Sequence, residues 1–215
     1  KERNKQTCMG AYEMDCRPDT FVVGDTIQIG QSFQGVTYDT VGNYKIYGPD
    51  SVNVIGCPLT IEHHLYVTPS FEGSGFYVKT ERTGKGTGAD WDNAMNGADF
   101  LYGLPLVEAG ATFHVAQGSY NMNKLAGAAS VTAVNPVSVI GGYKNTAKMG
   151  DGKNAAFETN FVSDSSFILN IISPAAAGEV PAGIYDLRMS GVQLNVKGNM
   201  NVEVDSCTFE KFDVA

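Results

Sequence analysis

Six charged side chains near the C-terminal end occupy outward positions beside apolar residues: Asp186, Arg188, Glu203, Asp205, Glu210 and Lys211. Clustered carboxylates on an exposed sheet can hold calcium, and a lysine or arginine beside them can act as a base; that is the equipment of a polysaccharide lyase. Asp186 and Asp205 fall near the bends of adjacent rungs, where they can approach one another. The plainer reading is that polar residues alternating with core residues simply face water. Glycoside hydrolysis needs two carboxylates at a defined separation, or a metal with a base, and the readable charges are scattered rather than stacked in register. No catalytic residue is therefore assigned. Asp186, Arg188, Asp205 and Glu210 are the candidate binding residues.

The other reactive side chains give weaker signals. His63 and His64 are consecutive on a strand candidate and must point to opposite faces, so they cannot share a metal. His114, between Phe113 and Val115, is expected to point outward. No serine or cysteine has a nucleophile-elbow context. The loop Thr83-Gly84-Lys85-Gly86-Thr87-Gly88 lacks the order of a phosphate-binding loop, because its lysine precedes the last glycines; it reads as a flexible turn. Asp90 and Asp92 flank Trp91, an arrangement that suits a helix start better than calcium binding. Of the four cysteines, Cys8, Cys16, Cys57 and Cys207, no pair has a C-x-x-C spacing, and the three histidines do not complete a zinc site. A disulfide is expected rather than a metal, which points to an oxidising compartment. Cys207 reads as a buried free thiol, and a Cys8–Cys16 pairing stays open.

These residues must be positioned by the elements around them, and a period near twenty describes those elements. Phe167, Leu187 and Cys207 form one column, Leu169, Met189 and Phe209 a second, and Ser166, Asp186 and Ser206 a third. Such a period signals a solenoid whose coils cannot bury their apolar faces alone. A bend followed by apolar-polar-apolar alternation suits short strands rather than helix pairs. Phe113, Val137 and Phe161, spaced by twenty-four, are expected to begin the stack. Asp90 is expected to cap a helix carrying Trp91, Ala94, Ala98 and Leu101 on one face, laid across the open first rung. Lys144 to Lys153 and Pro174 to Pro181 read as loops.

The bulk composition agrees with an all-β reading. The chain has 215 residues, 25 Gly, 43% hydrophobic residues and 18% charged residues, enough apolar material for one large or two modest domains. The net charge of -8 and the lack of a basic stripe argue against nucleic acid and against an anionic membrane surface. No apolar run approaches the ~20 residues of a spanning helix, and no signal peptide is seen. The chain stops one rung after Cys207 without a polar capping segment, so a fragment of a longer protein is expected.

Two stretches resemble known families. Gly35-Val36-Thr37-Tyr38-Asp39-Thr40-Val41-Gly42-Asn43-Tyr44, then Asp50 to Cys57, then Leu59-Thr60-Ile61 to Val67, resemble a module repeated in large secreted surface proteins of Bacteroidetes-type bacteria. That module runs G-x-x-Y-x-x-T-G-x-Y, then G-C-D-S, then an alternating strand; here Val41 replaces its Thr and Pro58 its Asp. The resemblance implies a Cys16–Cys57 disulfide. Phe76-Tyr77-Val78, the glycine loop, Trp91-Asp92-Asn93-Ala94, Gly110 to Tyr120 and Val137 to Tyr143 resemble the opening of right-handed parallel β-helix proteins of the pectate-lyase-like superfamily. That resemblance speaks to fold and hardly to activity, since the scaffold carries many functions.

The expected organisation is an irregular segment at 1–15, an Ig-like antiparallel β-sandwich at 16–69, a linker at 70–75, and a parallel β-helix with its N-terminal capping helix and first coils at 76–215. The expected role is a secreted or cell-surface structural or adhesive protein that binds polysaccharide or cell-surface glycan, or other surface proteins. No cofactor, nucleic acid or membrane insertion is expected. The alternative is a polysaccharide lyase or glycoside hydrolase whose active site lies on later coils.

Overall fold

Alternating β-branched and aromatic residues, punctuated by glycine turns, give a structure dominated by strands. The computed structural model describes residues 19–48, 51–52, 57–173, 180, 182–198 and 200–210. Two compact units divide the chain, one built from residues up to 26 with 43–66, the other from 27–42 with 67 onward.

The earlier strands are β1 (Asp19–Gln28), β2 (Ser32–Phe33), β3 (Val36–Thr37), β4 (Gly42–Tyr47), β5 (Ser51–Val52) and β6 (Pro58–Thr68). They form a sheet of order β1-β6-β4 with β5 on β6, and a separate antiparallel pair, β2 with β3. Leu65 on β6 is fully buried, and Cys57, just before the strand, is buried. Cys57 is disulfide-bonded; its expected partner Cys16 lies outside the described residues, as do Cys8, Lys211 and most of the loop expected at 174–181. His63 and His64 do face apart: His63 Nδ1 lies 2.7 Å from Asp25 Oδ2, and His64 Nε2 lies 2.7 Å from Glu62 Oε1.

The later elements are β7 (Gly75–Val78), α1 (Gly97–Gly103), β8 (Ala111–Ala116), β9 (Gly118–Asn121), α2 (Met122–Ala126), β10 (Ser130–Ala133), β11 (Val137–Tyr143), β12 (Thr159–Ile172), β13 (Ala182–Tyr185), β14 (Leu187–Lys197), β15 (Val202–Asp205) and β16 (Thr208–Glu210). They make two five-stranded sheets, one of order β15-β13-β11-β8-β7 and one of order β10-β12-β14-β16 with β9 also on β12. The printed pairings in both sheets are parallel. The chain visits the sheets in turn, so each parallel neighbour is reached through a crossover. A register shift between Val162 and Phe167 splits β12: 159–162 pairs with β9 and β14, and 168–171 with β10 and β14.

Alternation then builds the core. In the first sheet Phe76, Phe113, Val139, Ile184 and Val204 stack in register, and in the second Tyr120, Phe161, Met189 and Phe209 do so; the last member of each column, Val204 and Phe209, is exposed while the others are buried. Phe113 and Phe161 are fully buried, and Phe100 from α1 meets both, its ring centroid 4.9 Å and 5.9 Å from theirs. Removing one such ring to alanine costs about 3–5 kcal/mol.

Three expectations about this region are corrected. The spacing of twenty holds between the last two rungs, where Ile184 pairs with Val204 and Met189 with Phe209; Phe167 and Leu169 stack instead on Val192 and Leu194, because the preceding crossover is longer. The stack begins with Phe76 and Phe113 against Val139, whereas Val137 pairs with Ala111 and Phe161 belongs to the other sheet. The helix starts at Gly97 rather than at Asp90. Asn96 is its N-cap, accepting from the Asp99 backbone, while the Asp99 carboxylate accepts from the Asn96 backbone. Asp90 serves a turn, its carboxylate accepting from the Asn93 N–H at 2.7 Å. Trp91, 2% exposed, packs with Ala116, Ala147, Tyr77 and Tyr143 in a cluster of its own beside the main core.

Candidate functional site

The face of β9, β12, β14 and β16 opposite the core column carries Ser119, Asn160, Arg188 and Thr208 in register, with Asn121, Val162, Ser190 and Glu210 as the next column. The same two-residue period that buries Phe161 and Met189 delivers these side chains outward. Two adjoining hollows follow the face. One, of about 380 Å³, is lined by Gly142, Phe157, Glu158, Asp186, Arg188 and Glu210 among others. The next, of about 310 Å³, takes in Ser119, Asn160 and Ser190 and shares Glu158, Arg188 and Glu210 with the first. The shared residues make one groove of the two.

Backbone geometry fixes the groove's upper corner. Gly142, Asp186 and Ser206 all adopt left-handed backbone, with φ of 79°, 54° and 54°. A Cβ at Gly142 would lie 3.4 Å from the Cβ of Asp186, so these corners stack directly. Left-handed φ is unfavourable for a residue with a side chain, and a short polar one tolerates it best. The Asp186 N–H donates to the Asp205 carbonyl at 3.1 Å, and the Gly142 N–H to Thr159 Oγ1 at 3.1 Å.

Three of the four candidate binding residues come together here. Arg188 donates through Nε at 3.0 Å and through Nη2 to the same oxygen of Glu210. Asp186 accepts from Lys153 Nζ at 2.6 Å, and this hydrogen bond holds the lysine above its ordinary value. Asp205 is exposed at the end of β15 and lines neither hollow, although its carbonyl supports Asp186. Sequence reasoning missed Phe157, Glu158, Asn160 and Lys153. The alternation Thr159-Asn160-Phe161-Val162 was the available signal, but nothing in it tells which later rung lies beside it. Asn160 Oδ1 is buried with no hydrogen-bond partner among the described residues.

The other sheet's outer face carries a different cluster. Tyr77 stacks on His114 with centroids 5.0 Å apart, and His114 Nδ1 lies 3.0 Å from the Tyr143 hydroxyl. Trp91 closes against Tyr77 and Tyr143 at 4.9 and 5.3 Å. Burial lowers the His114 titration below its ordinary 6.5 and raises that of the Tyr143 phenol. Cys207 is a half-buried free thiol whose Sγ donates to the carbonyls of Ile184 and Asp205, and burial pushes its titration up. Among the described residues, no group of three His, Cys, Asp or Glu side chains is placed to hold a metal ion.

No protein-family model, curated protein or solved structure matches this chain.

Proposed function

We propose that this is a secreted or cell-surface structural or adhesive protein of Bacteroidetes type, built as a small β-sandwich followed by a right-handed parallel β-helix with α1 as its N-terminal cap. Its groove across β9, β12, β14 and β16 binds glycans. The observation that carries this reading is the groove itself. It places three carboxylates, an arginine, an asparagine and several hydroxyls around one aromatic ring on a rigid sheet face. Concave sites with a few converging polar groups and an apolar wall are the usual form of small-ligand sites. The stacked registers and alternating sheets support the β-helix, in which binding surface is presented along the rungs. The buried, disulfide-bonded Cys57 supports an extracellular location.

Binding of the purified protein to an array of intact and degraded polysaccharides, compared with Arg188→Ala, tests the proposal. Retention of glycan by the wild type and its loss in the variant is the expected result. An array without signal, or signal indifferent to Arg188→Ala, refutes it. Release of reducing or unsaturated sugar would replace adhesion by catalysis.

A further inference from the structure

We infer that the groove takes uncharged glycan chains and discriminates against chains bearing carboxylate or sulfate; this inference rests on the glycan-binding reading and names its ligand class. Glu158, Asp186 and Glu210 line the larger hollow against Arg188. Two of the cations nearby are paired with these carboxylates, and a third, Lys144, has its Nζ 5.8 Å over the Phe157 ring. Arg188 Nε and Nη2 both donate to Glu210, and Lys153 Nζ donates to Asp186. A uronate or sulfate entering here competes with Glu210 for Arg188 and stands close to Glu158 and Asp186. Like charges brought together without compensation are disfavoured, and such juxtaposition is a general device for excluding wrong partners.

A neutral pyranose meets no such obstacle. Its hydroxyls can donate to the Glu158 and Glu210 carboxylates, which remain acceptors while ionised, and accept from the Ser119, Ser190 and Thr208 hydroxyls. Asn160 supplies a further acceptor. Its Oδ1 has no partner among the described residues, and turning the amide outward offers that oxygen to a ligand hydroxyl. Phe157, with Ala155 and Leu187 in the same hollow, gives the apolar wall against which the C–H face of a sugar ring rests. The second hollow continues the groove along the same face through shared walls, which suits a chain rather than a single sugar.

The test is a binding panel read by calorimetry: oligosaccharides of neutral β-linked hexoses, oligogalacturonate, and a sulfated chain, each at low and high salt. The neutral chain should bind at least about tenfold more tightly than the anionic ones, a difference of about 1.4 kcal/mol, and its affinity should not change with salt. Glu158→Gln keeps the acceptor and removes the charge. It should narrow the gap to oligogalacturonate by relieving the repulsion, while the neutral chain loses a charge-assisted hydrogen bond and binds no more tightly than before. Asn160→Ala should weaken the neutral chain severalfold while the melting temperature holds or rises, since an unpaired buried acceptor is removed. Equal or tighter binding of the anionic chains, or a gap that Glu158→Gln leaves untouched, overturns the inference and leaves the glycan reading standing. Failure of every chain to bind overturns both.

Discussion

Replacing Asp99 by alanine is expected to destabilise the larger unit more than any comparable change at its surface. The Asp99 side chain is fully buried, and its two oxygens accept from Arg82 Nε and Nη2, both at 2.6 Å, while Arg82 itself is 24% exposed. One oxygen also accepts from the Asn96 N–H at 3.3 Å, closing the capping box of α1. Removing one partner of a buried ion pair costs about 3–5 kcal/mol, since the remaining charge stays desolvated. The lost capping bond contributes about 0.5–1 kcal/mol more. Partial exposure of the guanidinium lets water recover some of this, so about 4 kcal/mol is the working figure. For a unit of this size that corresponds to a fall in melting temperature of roughly 10 °C. Urea unfolding followed by the fluorescence of Trp91, the single tryptophan, measures it directly. The control is Arg82→Met with Asp99→Leu, which removes both charges and should recover most of the loss. A fall below about 1 kcal/mol for Asp99→Ala, or a double variant no better than the single, would show that the pair is not held in a desolvated site.

Two further outcomes follow from the geometry. His114 is held below its ordinary 6.5 by burial, so the folded protein favours the neutral ring. Stability should therefore be full above about pH 6.5 and decline as the pH falls toward the lowered folded value, because the unfolded chain takes up the proton first. Urea midpoints measured across that range should slope for the wild type and flatten for His114→Gln; parallel slopes would assign the effect to another group. At Gly141, a methyl group would run into the Asp186 carbonyl oxygen, with the Leu187 side chain at 2.7 Å and Thr159 Cβ at 2.9 Å. Gly141→Ala should cost about 1–3 kcal/mol by overpacking, and an unchanged unfolding curve would mean that the corners do not stack as described.

The parts of this fold that were legible in the sequence are those governed by local alternation. The alternating stretches Thr26-Ile27-Gln28-Ile29, Tyr44 to Tyr47 and Leu59 to Val67 read as strands, and apart from Ile29, one residue past the end of β1, they lie within β1, β4 and β6. His114 faces outward between buried Phe113 and Val115 for the same reason. Register between rungs was less legible, because crossovers of unequal length hide which residues stack. Leu169 sits over Leu194 only because the bulge after Val162 shifts the frame. The helix start was misplaced because Asp90 offers as good a cap as Asn96, and only the reciprocal bond with Asp99 distinguishes them. At the candidate site, Asp186, Arg188 and Glu210 were found by outward alternation. Phe157, Glu158 and Asn160 reach the same groove from the neighbouring rung, which lies far back in the sequence, a relation that alternation does not encode.

The spacing of the core column has a consequence for how such a protein can change. Successive members Phe113, Val139, Ile184 and Val204 are twenty-six, forty-five and twenty residues apart, yet each sits in register on the last. The tight corners at Gly142, Asp186 and Ser206 do not take up this difference. It is absorbed in the crossovers, such as 144–157 after β11, where Lys153 reaches the groove. Insertions and deletions there leave the stacked strands untouched, since loop closure costs only about 0.6 kcal/mol for each doubling of length. The scaffold thus separates the inheritance of its architecture from that of its specificity. A lineage can lengthen, shorten or exchange one crossover, and with it one wall of the groove, without renegotiating the core.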